Sequence, residues 1–487
     1  MSETDRLLAK PPAPVYVDPE SAPNVSASDP APLRLSSEIL YLLANGLPVS
    51  LSYMLQASLQ SVSVVIVGNM LDAAALSAAA QGFMLAMVSA WCLAIGGSTA
   101  FDTLASPVFS VGRQAEVGIL YLRTCLVLMV LFVPVAAVWV YAASLLRMFG
   151  QPEDLCENVQ TFLRVLVYGA PGYILFETTK KFCQVQGIMQ ASTVTLCITS
   201  PLNVVLNYVM VNVWGLRGAA AATSLSYWLS FAGLLAYSIF GRPKQCWHPT
   251  WGPLLDWSVL RQVVQLVVPG FFMVATEWWA FEIVALAAGR LPAPAISAQS
   301  VIMTMDQILN TLPFGLGVAA SMRIGYLLGH GESANNVRSL RISTYAATIL
   351  ATAQGAVVLL ALLLTRRQFG LLFSDDPPTI ELVSRVLPLV AAFQVFDGWA
   401  GACGGVLRGI GRQEFGAAIN LAAYYVLALP LGIALAFRGN QALSGLWIGQ
   451  DVALCLVGLG EMYLVCCVTQ WHREAQKAAV RTDHLRH

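Results

Sequence analysis

Two glutamates, Glu277 and Glu282, interrupt an otherwise apolar stretch of helix length at residues 268–286, VPGFFMVATEWWAFEIVAL. In a membrane-spanning helix an acidic side chain costs about 2.5–3.5 kcal/mol at mid-depth on insertion scales, so it normally faces a bundle interior or a water-filled cavity. There it can exchange a proton or hold a cation. Trp278 and Trp279 follow the first acid, and the face of a tryptophan attracts cations. Pro269, eight residues before Glu277, can bend the helix and free backbone carbonyls to line a cavity. The bland alternative for Glu277 is a structural carboxylate hydrogen-bonded to a neighbouring helix. Glu282 lies five residues on and points about 140° away on an α-helix, so it does not share that face without a distortion. For it, structural and functional roles stand even.

Other acids sit at similar depth. Asp397, in FQVFDGWAGACGG, is flanked by small residues that let a helix or a substrate approach. Glu177 follows Phe176 as Asp397 follows Phe396, but Lys180 and Lys181 lie within one turn of it, which favours a local ion pair. Asp306, Asp451 and Glu461 are expected to act as polar links between helices. Asn420, Tyr424 and Tyr425, with Asn203, Asn207 and Tyr208, either line a cavity or are satisfied between helices. No GxxxxGK[ST], HExxH or G-x-S-x-G pattern occurs. An enzyme, a cofactor and a metal site are therefore not expected. The histidines lie in loops or the tail, so a proton relay has to use carboxylates. The ten cysteines are spread singly apart from Cys466 and Cys467, and read as small packing residues, with palmitoylation of that pair as the alternative.

The elements that must position these acids are membrane helices. Charged residues are 11% of the chain, against about 25% in soluble domains, and hydrophobic residues are 57%. Mean hydropathy is +0.66. A formal net charge of zero argues against a nucleic-acid partner and leaves membrane lipid as the surroundings. Twelve spans are predicted, at about 38–66, 74–100, 118–142, 159–183, 191–211, 216–240, 260–288, 295–320, 341–364, 380–407, 414–437 and 444–468. With the N-terminus cytoplasmic, the 27 lysines and arginines divide nineteen to eight in favour of the inner side, which places both tails in the cytoplasm. Residues 1–36 are proline-rich and read as a disordered cytoplasmic tail. Within them Glu3, Leu7 and Leu8 have the spacing of a dileucine sorting signal for vacuole-like membranes; the sequon at Asn24 lies on the wrong side for glycosylation.

The chain also repeats. An offset of 221 carries Pro48 to Pro269 and Gly68 to Gly289, and makes Gln56 the counterpart of Glu277. Two six-helix lobes follow, 37–240 and 259–468, joined by a linker at 241–258 and followed by a cytoplasmic tail at 469–487. The fold class is thus all-α and integral to the membrane: twelve transmembrane helices in two pseudo-symmetric lobes around a central cavity, with a binding site between or within the lobes.

Several stretches, in order, resemble the multidrug and toxin extrusion (MATE) family in its eukaryotic, fungal-like branch: FDTLASPVFSVGR after span two, TEWWAFE in span seven, then AQSVIM, FGLGVAASMRIGYLLG, CGGVLRGIGRQ and AAINLAAYY. The resemblance covers about residues 37–468. It implies a secondary active exporter of organic cations, drugs or toxins in exchange for protons, or for sodium in some relatives. A lipid-type flippase of the same superfamily is the alternative; it would want a more basic cavity. Glu277 and Asp397 match positions that carry an acid in spans seven and ten of the family. Some animal relatives have a glutamate in span eight where Thr304 stands, with Asp306 two residues later. The mechanism expected is competition: the ionised carboxylate attracts the cation, protonation removes the attraction, and a bundle open alternately to each side converts this into antiport. The functional unit is expected to be a monomer, in a vacuolar-type or plasma membrane. Glu282 joins the proton and cation site as a candidate; Trp278, Trp279, Gln56, Glu177, Asp306, Asn420 and Tyr424 are the cavity candidates.

Overall fold

The computed structural model describes residues 33–148, 150–241, 246–247, 252–372 and 376–485. Among them there is no strand. Eleven helices are long and apolar enough to cross a membrane, and a bent pair makes a twelfth span. In chain order these are α1 (Leu35–Met70), α2 (Ala73–Ser110), α3 (Gln114–Val140), α4 (Glu153–Leu166 with Ala170–Val185), α5 (Ala191–Trp214), α6 (Leu216–Phe240), α7 (Trp257–Ala288), α8 (Ala293–Leu328), α9 (Ala334–Phe369), α10 (Pro377–Ile410), α11 (Gln413–Phe437) and α12 (Ala442–Val468). Each predicted span falls on one of them. Asp72, Asp256, Ser333 and Asp376 start α2, α7, α9 and α10, each accepting from a backbone N–H two or three residues on. Such a cap satisfies a donor that the first turn leaves orphaned.

The structure lengthens some spans and breaks others. FDTLASPVFS, expected after span two, is helical and forms the end of α2. That helix passes through a π-turn at Met87–Trp91, and α8 is interrupted at Asn310, 221 residues after the middle of that π-turn. α4 bends by 51° between its halves. The bend lies at Gly169, where a Cβ would stand 2.6 Å from the Cα of Ser224, so only glycine lets α6 approach.

α1–α6 and α7–α12 form the two lobes. In each, the fifth span holds the first through an asparagine amide: Asn203 donates to the Leu59 carbonyl at 3.0 Å, and Asn420 to the Met273 carbonyl at 2.8 Å. Contacts between the lobes begin where α1 starts and continue along α1, α2 and α7. Glu38 accepts from Arg323 at 2.7 and 2.9 Å and from Ser343 at 2.8 Å. Tyr53 meets Phe314 edge-on at 4.7 Å. α2 and α7 touch through Gly96 and Gly270; a Cβ on either would fall within 2.5 Å of the other's carbonyl oxygen.

The regions outside the lobes divide between docked and undescribed. The expected disordered segment at 1–36 is ordered from Leu33, whose N–H reaches Ser339; Glu3, Leu7, Leu8 and the Asn24 sequon lie outside the described residues. Of the linker, Cys246 is fully buried and its carbonyl packs against Gly118 of α3. The segment at 469–487 forms a helix, α13 (Trp471–His484), held against both lobes. Glu474 accepts from Arg412, Arg481 donates to the Ile410 carbonyl, and Arg113 of the first lobe donates to the Thr482 carbonyl. Its buried face, Trp471, Ala475 and Ala478, is apolar enough to dock.

Candidate functional site

A narrow cleft with an interior volume of about 50 Å³, opening to solvent, lies within the second lobe. α7 lines it with Glu277 and Trp278, α8 with Asn310 and Phe314, α10 with Asp397 and Arg408, α11 with Asn420, and α12 with Glu461. A larger hollow, bounded by Val165, Trp214, Arg217 and Ala221, contains no carboxylate. Of the two, the smaller cleft is the one lined by carboxyls.

Two of the predicted acids meet there. Glu277 is half-buried and makes no hydrogen bond or ion pair among the described residues. Asp397 is buried, and both of its oxygens accept from the Asn310 amide at 3.2 Å. The break in α8 falls on Asn310, the residue whose side chain reaches Asp397. Asp306 is buried on α8, four residues before Asn310, and accepts from Gln394 of α10 at 2.8 Å, as a polar link between helices would. Thr304 donates back to the Ser300 carbonyl of its own helix. Glu282 lies off the cleft, as its angle on α7 requires, and has no polar partner among the described residues.

The remaining candidates separate. Trp278 lines the cleft, whereas the Trp279 indole leaves it and donates to the Val88 carbonyl of α2 at 2.7 Å. Val88 lies in the π-turn, where the regular ladder is interrupted, so this tryptophan ties the lobes together. Asn420 lines the cleft with its carbonyl oxygen unpartnered. Tyr424 is buried in the π-turn of α11 without a partner for its hydroxyl and does not line the cleft; Tyr425 donates to the Thr276 carbonyl. Gln56 and Glu177 also lie elsewhere, in a closed network of the first lobe. There Lys180 donates to Glu177 at 2.7 Å and to Gln56 at 3.0 Å, and Gln56 donates to Glu177 at 2.6 Å. Lys181 reaches a different acid, Asp102 of α2, at 2.8 Å.

Two residues of the cleft depart from their sequence reading. Arg408, one of the nineteen basic residues assigned to the inner side and its helix ends, turns into the cleft, and Glu461, expected to join helices, has no donor on either oxygen among the described residues. The signal for Arg408 was its setting: residues 401–411, GACGGVLRGIG, otherwise hold no group able to screen a charge. For Glu461 the sequence carries no comparable mark.

Comparison with known proteins agrees with this architecture. The MatE family model matches residues 48–209 and 269–434, one block in each lobe. The chain is 33% identical over 431 residues to an uncharacterized transporter of Schizosaccharomyces pombe, covering 86% of this chain and 77% of that one. It is 32% identical to Protein DETOXIFICATION 17 of Arabidopsis thaliana (94% and 95% covered) and 31% identical to Multidrug and toxin extrusion protein 2 of Mus musculus (91% and 77%). The crystal structure of the eukaryotic MATE transporter AtDTX14 superimposes with a TM-score of 0.84 at 27% identity, covering 93% of this chain and 99% of that one. Matched in both lobes and along nearly its whole length, the chain is a multi-pass membrane transporter of the multidrug and toxin extrusion family.

Proposed function

We propose that this transporter exports organic cations, drugs or toxins in exchange for protons, with Glu277 and Asp397 as the exchanging groups. The observation that carries the reading is that both carboxyls line one cleft and neither has a cationic partner there within bonding distance. An ionised carboxylate so placed is costly to leave alone, so it holds either a proton or a cation. Mutually exclusive occupancy of that kind is what antiport needs. Trp278 supplies an aromatic wall for the organic part of the substrate. Three carboxyls against one arginine favour a cation over an anionic lipid headgroup. Both tails face the cytoplasm of a vacuolar-type or plasma membrane, and the monomer is the working unit.

The test is uptake of a fluorescent organic cation into proteoliposomes under an imposed pH gradient, with a sodium gradient as the second arm. Glu277→Gln keeps the shape and removes the charge; it should fold and insert normally while proton-driven uptake falls about a hundredfold, the size of one lost charge attraction of ~3 kcal/mol. Full uptake by that variant at normal expression would falsify the assignment, and uptake driven by sodium alone would replace the proton.

A further inference from the structure

Glu461 is 1% exposed, and neither of its oxygens meets a donor among the described residues. Room has been left for it. A Cβ on Gly404 of α10 would stand 3.0 Å from Oε2, and one on Gly416 of α11 would stand 3.1 Å from Oε1, each nearer still to the Met273 thioether, so the two glycines make room for both side chains. Arg408 lines the same cleft, is 5% exposed, has no acceptor for Nη2, and makes no ion pair with Glu461. An arginine stays charged in a protein, so it contributes a fixed positive charge. Of the other groups facing the cleft, α7 and α10 bring Glu277 and Asp397, while α8 and α11 bring only the amides Asn310 and Asn420. With its three carboxyls ionised, the cleft holds two negative charges in excess of Arg408.

We propose that Glu461 is a second cation-binding point of the cleft, so that the preferred substrates are dicationic, with two amine or quaternary ammonium groups on one scaffold. One positive group sits at Glu277 and Asp397, the other at Glu461, where Arg408 keeps the excess charge at two. This deepens the export reading and rests on the same cleft being the substrate site.

The experiment is equilibrium binding to the full-length protein in detergent, without any gradient, of a matched pair: a mono-quaternary ammonium and its bis-quaternary analogue. The unaltered protein should bind the bis form at least about tenfold more tightly. Glu461→Gln should bring the ratio of the two affinities to about one, and Glu461→Asp should restore part of it. No preference in the unaltered protein, or a Glu461→Gln variant that weakens both ligands equally, as a structural role would, overturns the proposal. If Glu461→Gln does not fold, Glu461→Asp, which draws the carboxyl back by one methylene, must lower the ratio instead, and an unchanged ratio there overturns it too. Because binding is read without a gradient, failed proton-driven uptake would remove the coupling and leave this result standing. A lost preference with proton-driven uptake intact would remove only the dication.

Discussion

The two lobes bury acids in related places and treat them oppositely. In the first, Glu177 is closed in by Lys180, Gln56 and the Tyr53 hydroxyl, and Lys180 also lies over the Tyr53 ring at 3.6 Å. Asp102 is joined to Lys181. In the second, among the described residues, Asp397 has one amide, and Glu277 and Glu461 have no donor. A buried carboxylate that is paired contributes specificity of packing and has little reason to change partners. One without a cation is an exchange site in waiting. The difference begins at one position of the repeat, where Gln56 in α1 faces Glu277 in α7 across the offset of 221. On the proposed function, the first lobe serves as scaffold and the second carries the chemistry.

That division can be broken by giving the second lobe what the first has. Asn310→Lys would place an ammonium beside Asp397, as Lys180 stands beside Glu177. Transport in proteoliposomes is expected to fall about a hundredfold with folding retained, by the same one-charge argument; undiminished transport would mean that a free Asp397 is not needed. The reverse change removes the partner in the first lobe. Lys180→Met leaves Glu177 buried without its cation and is expected to cost about 3–5 kcal/mol of stability, read by thermal unfolding, while transport per folded molecule is largely kept. If instead stability is unchanged and transport is lost, the first lobe also carries exchange chemistry. The smallest change sharpens the comparison: Gln56→Ala removes one donor to Glu177, for about 1–3 kcal/mol, and should alter thermal stability far more than uptake.

Helix count was legible because membrane depth demands long apolar runs, and composition alone reports those. α4 was read only as a span at 159–183 because apolarity says nothing about bends; the 51° break depends on how closely α6 approaches Gly169. Glu277 and Asp397 stood out because acids in apolar runs are costly. Trp279, two residues from Glu277, was grouped with it by nearness in sequence, yet it points to α2 because side chains two residues apart on a helix diverge by about 160°. α13 escaped notice for the opposite reason. The segment was expected only as a cytoplasmic tail, but Arg412 of the second lobe reaches Glu474 and Arg113 of the first reaches the Thr482 carbonyl, contacts that form only once the lobes have assembled.

The sequence by itself determined that the chain is a two-lobed membrane bundle with carboxyls at depth, since hydropathy, the offset of 221 and the cost of buried charge are properties of the chain read along its length. Only the tertiary structure decided which of those carboxyls are neutralised. Lys181 passes over Glu177, four residues before it, to reach Asp102 seventy-nine residues away, and Arg408 turns into the cleft from a helix end. Pairing of charges is a matter of a few ångströms between different helices, and no periodicity along one helix encodes the distance to the next.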